Sequence, residues 1–144
     1  MKKINWDLEE VVALYDLYFK SGRTLSIDKD KLKQLSEILN RRAKIKWWIV
    51  DEKFRDVTGL SMQLATIHYI VTGGKEGLKN SSKIFWEVYE LYKEDPEKFD
   101  GIMKEFYLKY EWVWRSQIKI TVKIVLVWYF ERTVSRSFFI EMKG

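Results

Sequence analysis

The sequence predicts a mainly α-helical protein, a five-helix globular domain followed by a C-terminal β-hairpin. Three observations predict it. Apolar residues recur at three- and four-residue spacing through most of residues 5–110, turn and cap residues stand at the breaks, and beyond Trp112 the spacing changes to two. A chain of 144 residues is one ordinary domain, long enough to bury a core without staples. Within that single domain, residues 1–111 read as the helical part and residues 112–144 as a β-ribbon appendage.

The first helix, residues 5–19, aligns Leu8, Val11, Val12, Tyr15, Tyr18 and Phe19, with Asn5 or Asp7 as cap and Glu9, Glu10 and Asp16 elsewhere on the wheel. SGRTLSIDKD supplies turn and cap residues before a second helix built on Leu32, Leu35, Ile38 and Leu39, which runs into Asn40, Arg41 and Arg42. An aromatic connector, KIKWWIVDEKFRDVTG, follows. A third helix from about Thr58 aligns Leu60, Leu64, Ile67 and Val71 and is stopped by Gly73 and Gly74. Ser81 or Ser82 caps a fourth, with Ile84, Phe85, Val88, Leu91 and Tyr92 inward, and Pro96 opens a fifth on Phe99, Ile102, Met103, Phe106 and Tyr110. QIKITVKIVLVWYF then places Ile118, Ile120, Val122, Ile124, Leu126, Trp128 and Phe130 at every second position, a strand, and RSFFIEM supplies its hairpin partner.

Composition excludes several chemistries. The chain has no cysteine, which removes disulfides, thiolate metal sites and cysteine nucleophiles and suits a cytoplasmic protein. The N-terminus carries no apolar leader, and no apolar run reaches the length of a membrane span. His68 is the one histidine; it follows the inward Ile67 and reads as a helix-flank residue, since a histidine metal site needs a second ligand. VTGGKEGLKNSS lacks the spacing of a phosphate-binding loop and reads as a helix–helix connection. Glu141 and Lys143 in FFIEMKG resemble the E-x-K half of a metal-dependent nuclease site, yet no aspartate occurs after Asp100 to hold the cations, and an alternating strand end explains them equally. We expect no catalytic residues, no metal and no cofactor.

Charge is more informative. Lys and Arg outnumber Asp and Glu six to three over residues 41–60 and eight to four over residues 101–144. In the first of these, Arg41, Arg42, Lys44, Lys46, Trp47, Trp48, Lys53 and Arg55 fall within fifteen residues. Cations hold phosphates and indoles stack on bases, so this pattern predicts a DNA-binding surface. The alternative is a solvated basic face with one tryptophan in the core and the other shielding a loop.

Four blocks, in order, carry a family resemblance: Trp6 followed by Glu9, Glu10 and ALYDLYF; LSEILNRR; KFRDVTGLSMQL; and GLKNSSKIFWEVYELYKEDPEKF. Over residues 6–100 the chain resembles the N-terminal recognition domain of HNH-type, restriction-like endonucleases of bacteria and archaea. The resemblance implies a non-catalytic module that recognises double-stranded DNA, in some relatives modified DNA. Where the family has Asn-Pro-Asn after Phe-Arg, this chain has Asp56, Val57 and Thr58, and Gln63 replaces a usual lysine, changes that remove contacts DNA could use. The HNH module that follows in the family is absent. A recogniser without its nuclease could instead be a small protein-binding inhibitor of a bacterial defence nuclease, of the anti-CRISPR or anti-restriction type. The strand favours that rival: with Val125, Val127 and Tyr129 as well as the alternating set, it is apolar on both faces and calls for cover by a second protein, either a nuclease or a second copy in a homodimer.

Overall fold

A computed structural model describes residues 3–79, 82–112 and 123–129. The helices are α1 (Leu8–Lys20), α2 (Lys29–Ile45), α3 (Val57–Val71), α4 (Lys83–Glu94) and α5 (Pro96–Tyr107), followed by a π-helical turn, Leu108–Trp112. The chain divides into two compact units, Met1–Tyr110 and Glu111–Gly144.

In the first unit α1 is the central element, packed by α2, α3, α4 and α5. Every residue of α1 from Glu10 to Tyr18 is buried, the pattern of a helix enclosed on all sides. Around it close Leu35, Ile38 and Leu39 of α2, Leu60, Leu64 and Ile67 of α3, Phe85 and Val88 of α4, and Phe99 and Phe106 of α5. Three polar side chains inside this core find partners. Tyr15 Oη donates to the carbonyl of Phe85 at 2.7 Å. Tyr18 Oη lies 2.6 Å from His68 Nδ1, and His68 Nε2 lies 2.9 Å from Glu76 Oε2. Burial pushes the Tyr15 and Tyr18 hydroxyls up, so both remain protonated. His68 is thus buried and hydrogen-bonded on both nitrogens, tying α1 to α3 and to the loop after it, rather than lying on a helix flank.

Side chains cap the starts of α1, α3 and α5, and of these caps only Asp7 is named from the sequence. Asp7 and Glu10 form a reciprocal capping box at α1, Asp56 caps α3 through Gly59 N–H, and Asp95 closes α4 while capping α5 at Lys98 N–H with Pro96 behind it. Ser82 precedes α4 without a side-chain cap bond.

The C-terminal hairpin is a correction. Among the described residues there is no strand, and residues 123–129, inside the expected first strand, are helical. The reason lies in the sequence itself. From Ile124 to Tyr129 every position is apolar, so alternation has no polar phase, and a short continuous apolar run does not distinguish strand from helix. The expected second strand, with Glu141 and Lys143, lies outside the described residues. Among the described residues no helix is long and apolar enough to cross a membrane.

Candidate nucleic-acid interface

The acidic first turn of α1 decides where the cations at the end of α2 and in the α2–α3 connector go. Glu10 has no exposed surface. Its carboxylate accepts Arg55 Nε at 2.7 Å and Arg55 Nη2 at 3.1 Å, a bidentate pair. Arg55 Nη2 also reaches the carbonyls of Ile4 and Asn5 at 3.3 and 3.2 Å, and the guanidinium is sandwiched between the rings of Trp6, at 3.9 Å, and Phe54, at 4.4 Å. Arg42 is 2% exposed. It donates Nη2 to Asp7 Oδ2 at 2.7 Å and Nε to Glu9 Oε2 at 3.2 Å, and Trp48 and Tyr110 face its guanidinium at 5.2 and 5.7 Å. Burial works against its charge, but the hydrogen bond to Asp7 and the charges of Asp7, Glu10 and Glu9 outweigh it, and its pKa is raised.

Two of the cations expected on a DNA-binding surface are therefore already engaged by the protein. Arg42 is a buried ion-pair partner of Asp7 and Glu9, and the half-buried Arg55 is paired with Glu10, so both have few N–H groups left for a phosphate. Arg41 is half-buried and donates Nη1 to the carbonyl of Tyr110 at 2.8 Å. Trp48 is half-buried, edge-on to Phe54. Asn40 and Ser36 of α2 fasten the far side of the connector by donating to the carbonyls of Phe54 and Arg55, at 3.0 and 2.7 Å.

What remains outside is a compact set. Lys44, Lys46, Trp47 and Lys53 are exposed, Trp47 to 91% and the neighbouring Ile49 to 83%. Beside them lies a groove of about 730 Å³ between the N-terminal segment, the connector and the starts of α3 and α4. Lys3, Lys53, Lys83 and the Glu10-paired Arg55 line it against one aspartate, Asp51, with Trp6 and Phe54 as its aromatic wall. Among the described residues no group of three acidic or histidine side chains is placed to hold a metal.

Trp47 has an unusual backbone. Helices α1, α2 and α3 all end in the same motif. The residue after the C-cap donates its N–H three residues back, and the next residue donates five back: Gly22 to Phe19 and Arg23 to Tyr18, Trp47 to Lys44 and Trp48 to Ala43, Gly73 to Ile70 and Gly74 to Tyr69. The motif needs a left-handed residue after the cap. Glycine fills it at Gly22 (φ 81°) and Gly73 (φ 68°), whereas at the end of α2 it is Trp47 (φ 61°). A side chain there costs about 1 kcal/mol, and an indole left in solvent returns none of it by packing.

No sequence signal singled out the buried role of Arg42 and Arg55, although the Asp7-x-x-Glu10 capping box marks where the acidic turn lies. The C-cap position of Trp47 was also missed; its signal is the same-motif glycines at the ends of the first and third helices. Comparison with protein families, with curated proteins and with solved structures gives no match.

Proposed function

We propose that the chain is a non-catalytic module that binds double-stranded DNA, plain or base-modified, through the exposed edge of the α2–α3 connector. The observation that supports it is the separation of roles in that connector and the last turn of α2. Their arginines fix the backbone from inside, and Lys44, Lys46 and Lys53 stand outside around a bare Trp47. The lysines take phosphates and the indole takes sugar or base, and a DNA ligand accords with a cytoplasmic protein. Binding measured by anisotropy should weaken linearly with the logarithm of salt. Replacing Lys44 and Lys46 by Gln should lower the slope by about two. No binding to plain or cytosine-modified duplexes at about 50 mM salt would sink the reading. Incubation with magnesium should leave the DNA uncut.

Residues 123–129 favour a second reading alongside the first. Val125, Val127 and Tyr129 belong to a helical segment in which six consecutive apolar side chains are 54–69% exposed, more bare apolar surface than a single segment ordinarily leaves in water. Cover by a second copy gives a homodimer. Light scattering at micromolar concentration tests it: Val127→Lys and Tyr129→Lys should each shift the mass towards monomer, and a strictly monomeric unaltered chain rejects it.

A further inference from the structure

The geometry points to Trp47 as a wedge that enters a base step of the bound duplex, so that the ligand class is DNA with weakened stacking, such as a mismatched or pyrimidine–purine step. This inference rests on the DNA-binding reading and deepens it. Its first ground is that the fold gives no reason for a tryptophan at this position. Three helix ends share one motif, two are closed by glycine, and the third holds a bulky ring in the left-handed conformation at 91% exposure. A strained conformation retained without compensating contacts points to a role in recognition.

The second ground is the charge around the ring. Residues 41–50 carry four cations and no carboxylate, and Lys44 and Lys46 beside Trp47 are exposed. A flat apolar surface with cations on its flanks complements a base step with phosphates on its flanks. The third ground is stiffness. Trp47 sits between a backbone hydrogen bond of its own to Lys44 (3.1 Å) and one from Trp48 to Ala43 (2.9 Å). Trp48 in turn packs beside Arg42, which is fixed to Asp7 and Glu9 of α1. The backbone that carries the indole is therefore tied to the protein's core, as the mount of a side chain that must separate adjacent base pairs has to be. Inserting an apolar ring unstacks the step it enters, and the cost is lowest where stacking is already poor.

A duplex carrying the fluorescent base aminopurine beside a central mismatch, and its fully paired counterpart, test the inference. The unaltered protein should raise aminopurine emission on binding and prefer the mismatched duplex roughly tenfold. Trp47→Gly should melt about 3 °C higher, which shows that it is folded, and should lose about tenfold in affinity together with the emission change. The salt slope should stay as it was, because no phosphate contact is removed. Trp47→Phe should retain a fraction of both signals. Lys44→Gln with Lys46→Gln should do the converse, flattening the slope while emission at saturation still rises.

The wedge is overturned, with DNA binding intact, if Trp47→Gly binds and unstacks as the unaltered protein does, or if tight binding leaves aminopurine emission unchanged. Absence of duplex binding by the unaltered protein overturns both readings. A Trp47-dependent response to anionic vesicles in place of duplex assigns the ring to a lipid surface and overturns both as well.

Discussion

The covered and exposed cations at the end of α2 and in the α2–α3 connector are neighbours in sequence and opposites in function. Arg42 and Lys44 are two residues apart, as are Lys53 and Arg55, yet Arg42 is buried and Arg55 half-buried in ion pairs while both lysines are exposed. The difference follows from the chemistry of the two head groups. Planar guanidinium donors can serve a carboxylate, backbone carbonyls and two aromatic faces at once, as Arg55 does, whereas an ammonium is a strongly hydrated point charge. The acidic first turn of α1 is itself favoured by the positive end of the helix dipole, and it draws the arginines in. A run of positive charge in a sequence is thus divided by the carboxylates it can reach, and only the remainder forms a surface.

The largest expected effect breaks the buried side of this comparison. Glu10→Ala removes the fully buried carboxylate from Arg55, whose side chain is 9% exposed, and removal of one partner from a largely buried pair costs about 3–5 kcal/mol. Chemical denaturation should show a loss of that order, and a loss under about 1 kcal/mol would mean that water reaches Arg55 freely. Next in size is Arg55→Lys. The ammonium keeps the charge but loses the bidentate geometry and the stacking between Trp6 and Phe54, for an expected cost of about 2 kcal/mol. If lysine substitutes without cost, the planar fork is not what holds the connector.

How much of this was legible in the sequence depends on the range of the interactions. The inward faces of α2 to α5, and the breaks at Gly73, Ser82 and Pro96, were readable because helical period and capping act within a few residues, whereas α1 is buried from Glu10 to Tyr18 and shows no single inward face. The pairing of Glu10 with Arg55 joins positions 45 apart, and a single sequence carries no record of it, so the arginines were counted with the lysines. Asp56 shows a milder form of the same limit. The resemblance reads it as a lost DNA contact, while its carboxylate accepts from Gly59 N–H at 2.8 Å as the cap of α3. His68 joins Tyr18, 50 positions away, and its burial was equally hidden. Residues 123–129 were misread for a different reason: the run lacks the polar positions that give a period its phase.

On the exposed side, Lys44→Gln with Lys46→Gln should leave the unfolding free energy within about 0.5 kcal/mol of the unaltered protein, while DNA affinity at low salt falls by roughly tenfold or more. The contrast with Glu10→Ala is the point of the measurement, stability lost without direct loss of a DNA contact in one case and the reverse in the other. A marked destabilisation by the lysine pair would place those side chains in the structural set and remove them from the proposed interface.

The smallest effects compare the helix ends, and they decide whether Trp47 owes its place to the fold. At Gly73 a Cβ would meet nothing within 4 Å, so the penalty of Gly73→Ala is that of the left-handed backbone alone, about 1 kcal/mol. Trp47 already carries that penalty, so Trp47→Gly should stabilise by a similar amount. Trp47→Ala separates backbone from side chain. Alanine is as strained there as tryptophan, and it lacks the indole, so if the ring packs on nothing the stability should stay within about 0.3 kcal/mol of the unaltered protein. Measured together in urea, the three variants should give a loss, a gain and no change, in that order. A loss with Trp47→Ala comparable to that of Gly73→Ala would show the indole packing on the folded chain; the tryptophan would then be a structural residue like Trp48, and Lys44, Lys46 and Lys53 would be left to make the interface without it.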